Sequence, residues 1–351
     1  MKQEKTSQLS FGDLQMQRRK VKSEFFNQIN AVIDWHPLRA LIEPAYAKGF
    51  SPTGRPCYDC MVLFRMELMR MWYGLSDGEI EEQVNDRLSF SRFAGLGMDD
   101  TVPDSTTLCR FRNALVKSDV YDRLLSEVNR QLSSRHVMVT TGVIVDACVT
   151  DSPRRPRGQK EYEVVEDRHE EEGADTANAR LVEKPRPGVD TEARWVKKAG
   201  KCHFGYKRHT VVNQDGLVIA EETTPANESD IKHLVTPLEK AGLEQGTTVM
   251  ADKGYDSSEN MKALSSMRLK GRIMHKAQKN RSLTERERAV NKAVSKVRYA
   301  VERTYGSMHK WFGAGVARYV GLAKTHAQHI MEAIAYNLYR TPGIIVSNRI
   351  R

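Results

Sequence analysis

Two hydrophobic periodicities divide the chain. Up to about residue 140 apolar residues recur at helical spacing, and beyond it β-branched runs alternate with helical stretches. Residues 56–73, PCYDCMVLFRMELMRMWY, form a dense Met- and Leu-rich block. Uniform apolarity of this kind predicts a core helix rather than a partner-binding surface. In LSDGEIEEQV, Ser76 and Glu79 have capping-box spacing, and Ile80, Val84 and Leu88 repeat at helical intervals. After a loop with Gly95, Gly97 and Pro103, PDSTTLCRFRNAL starts another helix capped by Asp104 or Ser105. Leu108, Phe111 and Leu115 face inward, leaving Thr106, Thr107, Arg110 and Arg112 outside. Short helices with hydroxyl and Arg side chains at a helix start suit a helix-turn-helix reader. A plain helical bundle explains them equally well.

Residues 137–149, VMVTTGVIVDACV, are β-branched and nearly continuous in apolar content, as in a strand buried on both faces. Residues 151–200 (RRPRG, EVVEDRHEEEG, KPRPGVD) are charged and contain Pro and Gly, which predicts an exposed, flexible insertion. NQDG between HFGYKRHTVV and LVIAEETT reads as a hairpin turn. A helix over SDIKHLVTPLEKAG, a strand at TTVMAD, a helix near 257–269, a strand at GRIMH and a helix near 284–310 follow. This alternation predicts a mixed α/β sheet domain. A last helix over 322–340 ends before Pro342.

Composition narrows the function. The 351 residues are 40% hydrophobic, enough for a core, and hold no apolar run long enough to span a bilayer. The first residues have no secretory apolar region, and five cysteines are too few for a disulfide scaffold. Fifty-five Lys and Arg against 45 Asp and Glu give a net charge of +10, which points to a polyanionic partner, nucleic acid first. Residues 268–318 alone carry 14 basic and three acidic side chains. Charged helix faces normally mix signs, so this segment is expected to hold DNA, with Lys292, Lys296 and Arg303 among the contacts.

Two aspartates end apolar runs: Asp146 after Val143-Ile144-Val145, and Asp252 after Val249-Met250-Ala251. A carboxylate there is costly to bury unless it is paired or binds a cation, although Asp252 could also cap the following helix. Glu302 lies on a helical stripe with Ser295, Arg298, Tyr305 and His309, where Arg298–Glu302 could be an ordinary i,i+4 pair. Three carboxylates at one site would repel one another, and two divalent cations would resolve the conflict. Two oxygen-ligated ions are the clamp used for in-line displacement at phosphorus, and Mg²⁺ suits such a site.

In these segments the chain resembles bacterial insertion-sequence transposases of the DDE class, nearest to the group numbered five. PDSTTLCRFRNAL resembles the signature of the N-terminal helical domain. VDACVTDSP, HFGYKRH with TTPANESD, ADKGYDS and RYAVERTYGSMHKWFG resemble the catalytic strands and the glutamate helix. The resemblance implies an α/β, ribonuclease-H-like catalytic domain over 136–340 with the charged insertion at 151–200. A helical DNA-binding domain over 16–135 would precede it, with a flexible start at 1–15 and a tail at 341–351. It implies Asp146, Asp252 and Glu302 as ligands of two Mg²⁺ ions, Mn²⁺ being a possible substitute, and Tyr255 and Arg298 as accessory residues near DNA. Lys207, Lys310, Thr106 and Arg110 complete the expected DNA contacts. Ser295 and His309 stand where the family has a tyrosine and a lysine, with Lys310 one step further. The implied partners are the element's terminal inverted repeats and a target duplex, bound by a homodimer or larger assembly in the bacterial cytoplasm. No membrane and no nucleotide cofactor are implied.

Other motifs carry less. CYDC at 57–60 has no second ligand pair, so buried thiols are expected rather than zinc. His326 and His329 could bind a metal but fit packing better, and Asp151 is read as a turn residue. No phosphate-binding GxxxxGK[ST] loop occurs. A nuclease of the same fold and a catalytically silent DNA-binding regulator are the rival functions.

Overall fold

The computed structural model describes residues 24–46, 57–157, 162–167, 178–183, 187–198, 200–277 and 281–350. The expected flexible start at 1–15 lies outside them. Seven helices come first: α1 (Glu24–Val32), α2 (Trp35–Tyr46), α3 (Cys60–Tyr73), α4 (Asp77–Asp86), α5 (Leu88–Ala94), α6 (Ser105–Lys117) and α7 (Tyr121–Ser134). The strands are β1 (Gly142–Asp151), β2 (Tyr162–Asp167), β3 (Asn178–Glu183), β4 (Arg194–Lys198), β5 (Lys201–Asn213), β6 (Val218–Pro225), β7 (Thr248–Ala251) and β8 (Lys270–Ile273). Among and after them lie α8 (Val235–Ala241), α9 (Ser258–Ser266), α10 (Glu285–Phe312) and α11 (Leu322–Ile350).

Local chemistry sets the helix limits. The α3 block is buried on nearly every side, as its composition requires. Ser76 and Glu79 form the anticipated capping box on α4, and Asp104 caps α6 through the Thr107 amide. Leu108, Phe111 and Leu115 are buried, but Arg112 turns inward to pair with Glu67 and Asp77. Burying Glu67 requires that pairing, a constraint that helical periodicity does not register.

β1 is the centre of a six-stranded sheet. It runs antiparallel to β5 and parallel to β7, and β7 runs parallel to β8. β6 pairs antiparallel with the second half of β5, and β4 with its first residues. The order β6-β5-β1-β7-β8, an antiparallel meander continued by two parallel strands, is ribonuclease-H-like. Val143, Ile144 and Val145 are fully buried, as a strand covered on both faces demands. One face packs with Leu238 of α8, Leu264 of α9 and Tyr255. The other shares a single apolar core with α10, α11 and the N-terminal helices. The Trp72 indole donates to the Ala335 carbonyl (2.9 Å), tying α3 to α11. The step from helices to sheet near residue 136 is therefore a change of architecture without a break in packing.

Four expectations are corrected. Within the insertion, β2 and β3 form a two-stranded ribbon and β4 joins the main sheet. Asp190 is buried, accepting from the Tyr206 hydroxyl at 2.7 Å. Charge density hid short strands such as RWVKK, whose apolar pair, Trp195 and Val196, is too brief to show an alternation. Asp151 is the last residue of β1 and meets His203 at 2.9 Å rather than sitting in a turn. The helix over SDIKHLVTPLEKAG shrinks to a 3-10 turn at Asp230–Lys232 and the seven residues of α8. α11 passes through Pro342, where the Thr341 hydroxyl donates to the Asn337 carbonyl (2.8 Å) in the turn that Pro342 leaves short of one N–H.

Candidate active site

Parallel pairing of β1 with β7 sets Val145 opposite Ala251, so Asp146 and Asp252 follow at the same level on adjacent strands. α10 crosses beside them, its start fixed by the Thr284–Glu287 capping box. Its stripe faces β1: the Tyr305 hydroxyl donates to the Asp146 carbonyl (2.8 Å), and His309 Nε2 lies 3.6 Å from Cys148 Sγ. Arg298 occupies the middle of the group. Its guanidinium lies 3.0 Å from Asp146 Oδ2, 3.4 Å from Asp252 Oδ1 and 3.8 Å from Glu302 Oε1. The structure thus brings Asp146, Asp252 and Glu302 together around one cation.

Their surroundings differ. Asp146 is 15% exposed and Glu302 is 63% exposed. Burial pushes the Asp146 carboxyl above its ordinary range, against the pull of Arg298, the Ala147 amide and Lys198. Burial also works against the Arg298 charge, but Asp146, then Asp252 and Glu302, hold the guanidinium above its usual value. Asp252 accepts from the Lys253 amide (2.7 Å), capping the 3-10 turn at Lys253–Tyr255, whereas Ser257 caps α9. Capping and membership of the carboxylate group coexist in one side chain.

An all-carboxylate donor set fits a hard divalent cation, and the guanidinium in its midst supplies the positive charge that such a set demands. As placed here, no three His, Cys, Asp or Glu side chains among the described residues stand arranged to hold an ion.

The remaining predicted residues divide into exposed and enclosed groups. Lys292, Lys296 and Lys310 stand exposed on α10, with Ser295 beside them, and Thr106 and Arg110 are exposed on α6. Arg303 is exposed but donates to the Asp215 carbonyl (2.6 Å) and lies over the Tyr299 ring. Tyr255 is 1% exposed, its hydroxyl 3.5 Å from His209 Nδ1. Lys207 is buried, bound to Asp230 (2.8 Å) and the Glu228 carbonyl (2.7 Å). Neither Tyr255 nor Lys207 faces solvent in this conformation.

Behind the carboxylates lies a polar cluster that the sequence reading did not identify. His209 is fully buried, stacks on His233 and meets the Thr224 hydroxyl at 3.0 Å. Burial, and then the neighbouring His233, push His209 down to about 3. Lys198, also unanticipated, donates to the Ala147 carbonyl at 3.0 Å, one residue from Asp146. Tyr305 was on the α10 stripe, but periodicity does not distinguish a residue that touches β1 from one that merely packs.

Two minor candidates resolve as packing. His329 is buried between the Thr150 and Thr223 hydroxyls, and His326 bridges Thr223 and Asp122. Of the two CYDC thiols expected to be buried, Cys60 is, at the start of α3, but Cys57 is exposed just ahead of that helix; all five cysteines are free. No helix among the described residues is long and apolar enough to cross a membrane.

Residues 14–114 match the family described as Transposase domain (DUF772), and residues 149–338 match the Transposase DDE domain. The second match begins just beyond Asp146. Over 233 residues, 66% of this chain and 76% of the relative, the sequence is 39% identical to the transposase for insertion sequence element IS1106 of Neisseria meningitidis serogroup B. The piggyBac transposase synaptic complex with hairpin DNA aligns over 93% of this chain and 75% of its own, with a TM-score of 0.42 and 11% identity. The Mos1 mariner paired-end complex with Mn aligns over 92% and 86%, with a TM-score of 0.21 and 12% identity.

Proposed function

Since the chain belongs to the insertion-sequence transposases with a DDE catalytic domain, we propose that it binds the terminal inverted repeats of its own element and performs both strand cleavage and strand transfer. The observation that carries this reading is the convergence of Asp146, Asp252 and Glu302, from two adjacent parallel strands and one helix, around Arg298. Those carboxylates would hold two Mg²⁺ ions, which when bound supply Lewis-acid activation of water or of a 3′ hydroxyl and charge stabilisation at phosphorus. The chain's own groups do the rest. Arg298 exchanges its carboxylate partners for phosphate oxygens, as a planar guanidinium suits both. Tyr305 pins the backbone at Asp146, and hence the direction of that carboxylate. Lys292, Lys296 and Lys310 draw the duplex along α10, while Thr106 and Arg110 of α6 face the element's end. The protein works as a homodimer or larger assembly on bacterial nucleoid DNA.

The test is cleavage of an end-containing duplex with Mg²⁺. Asp146→Asn, Asp252→Asn and Glu302→Gln should each abolish cleavage while folding and end binding persist. Normal cleavage by Glu302→Gln would remove the glutamate from the site.

A further inference from the structure

The last part of the charged insertion is placed where it can act on the substrate. β4 and β5 form a hairpin, RWVKKAGK over residues 194–201, with four basic residues and no acid. Trp195 pairs with Phe204 across the strands, their rings 5.2 Å apart, which stiffens the hairpin against the sheet. At Gly205 the backbone of β5 presses so closely on β1 that a Cβ would sit 2.1 Å from the Thr150 carbonyl oxygen. The hairpin tip then reaches the active site: Lys198 Nζ stands 3.0 Å from the Ala147 carbonyl, and its charge is felt at both Asp146 and His209. Among the described residues no carboxylate lies within ion-pair distance of Lys198. Lys197, Lys198 and Lys201 are exposed.

An ammonium held by one carbonyl keeps two N–H donors free, and beside a cluster of carboxylates it has no steric need to be there. We propose that the β4–β5 hairpin is a DNA clamp, in which Lys198 binds the phosphate presented to Asp146, and Lys197 and Lys201 bind phosphates beside it. This assignment rests on the proposed strand chemistry at Asp146. It gives the insertion a role that the α10 contacts do not fill, since they approach from the helix side. Lys198 is a positioning residue for the scissile phosphate, and the hairpin contacts backbone rather than bases.

The experiment measures binding of a duplex carrying the terminal repeat that flanks the coding region, in metal-free buffer, over a range of salt. Lys198→Gln should weaken binding roughly tenfold, the scale of one charge-assisted hydrogen bond, and Lys198→Arg should retain most of it. On a duplex whose phosphate at the cleaved position is a neutral methylphosphonate, Lys198→Gln should cost nothing further, because both changes remove the same contact. Replacing Lys197, Lys198 and Lys201 together by Gln should lower the slope of log K against log salt by about 0.9 per contact. An unchanged slope in the triple variant, or an equal loss for Lys198→Gln on both duplexes, overturns the clamp while end binding by the wild type upholds the transposase reading. Failure of the wild type to prefer the terminal repeat over random duplex would instead overturn both.

Discussion

Arg298 and Asp146 form a 3.0 Å ion pair that joins α10 to β1, with both side chains largely enclosed. The pair holds a helix carboxylate, Glu302, beside the middle of β1 and the end of β7 before any substrate arrives. Arg298→Gln would leave Asp146 without its main cationic partner and should destabilise the metal-free protein by about 1–3 kcal/mol. The same variant removes a cation that competes with metal for the carboxylates. Mn²⁺ titrations followed by calorimetry or electron paramagnetic resonance should therefore show tighter binding than in the wild type. Weaker Mn²⁺ binding would mean that Arg298 organises the ligands rather than competing with the ion.

The buried histidine cluster makes stability pH-dependent. His209, pushed from 6.5 down to about 3, stays neutral in the folded chain while its unfolded counterpart takes up a proton. Its contribution is present above the unfolded value and is lost as pH falls from about 6.5 towards 3. The limiting slope is about 1.4 kcal/mol per pH unit for one proton. Urea midpoints measured between pH 4 and 7 should fall less steeply in His209→Gln than in the wild type. Parallel curves would place the linked proton elsewhere, His329 being the next buried histidine held low.

Arg208 is fully buried between Glu221 (2.6 Å) and Glu332 (2.9 Å). Burial raises both carboxyls above their ordinary range, against the pull of Arg208. Arg208→Met should cost about 3–5 kcal/mol, since it leaves uncompensated buried acids. Arg208 is the main influence holding both carboxyls down, so its loss raises them further, and the deficit should be larger at pH 8 than at pH 5. Thermal melts at the two values check the sign.

Two glycines separate close approach from mere flexibility. A Cβ at Gly205 would collide with the backbone of Thr150–Ser152, so Gly205→Ala should lose about 3 kcal/mol and loosen the β4–β5 hairpin. Nothing lies within 4 Å of a Cβ at Gly78 in α4, where Gly78→Ala should gain up to about 1 kcal/mol. Denaturant midpoints of the two variants should move in opposite directions.

Much of this architecture was legible from local pattern. The apolar run before Asp252 marked a carboxylate at a strand end, whereas Asp146 lies in mid-strand because β1 continues to Asp151; the i,i+4 spacing of Arg298 and Glu302 put both on one helix stripe. What pattern did not carry was contact between distant segments. Lys198 sits 51 positions from Ala147, in a stretch whose charge suggested solvent. Tyr255 and Lys207, expected at the DNA, are instead buried, Tyr255 at the 3-10 turn after β7 and Lys207 on β5, which neither the resemblance nor the local pattern conveyed. The helical phase of Arg112 points it outward, because nothing local announces that Glu67 needs a partner. Pro342 alone reads as a terminator, although a neighbouring hydroxyl and the partly buried Ile344 and Ile345 accompany the continuation of α11.

Strand joining is what separates the proposed transposase from a nuclease of the same fold. The most direct measurement incubates the full chain and Mg²⁺ with a labelled duplex of the element's end, already bearing a free 3′ hydroxyl, and a circular target plasmid. A covalent product in which the labelled strand is joined to the plasmid is expected, and it should be absent with Asp252→Asn. Plasmid nicking with no transfer of label, or joining that persists in Asp252→Asn, would contradict the transposase proposal.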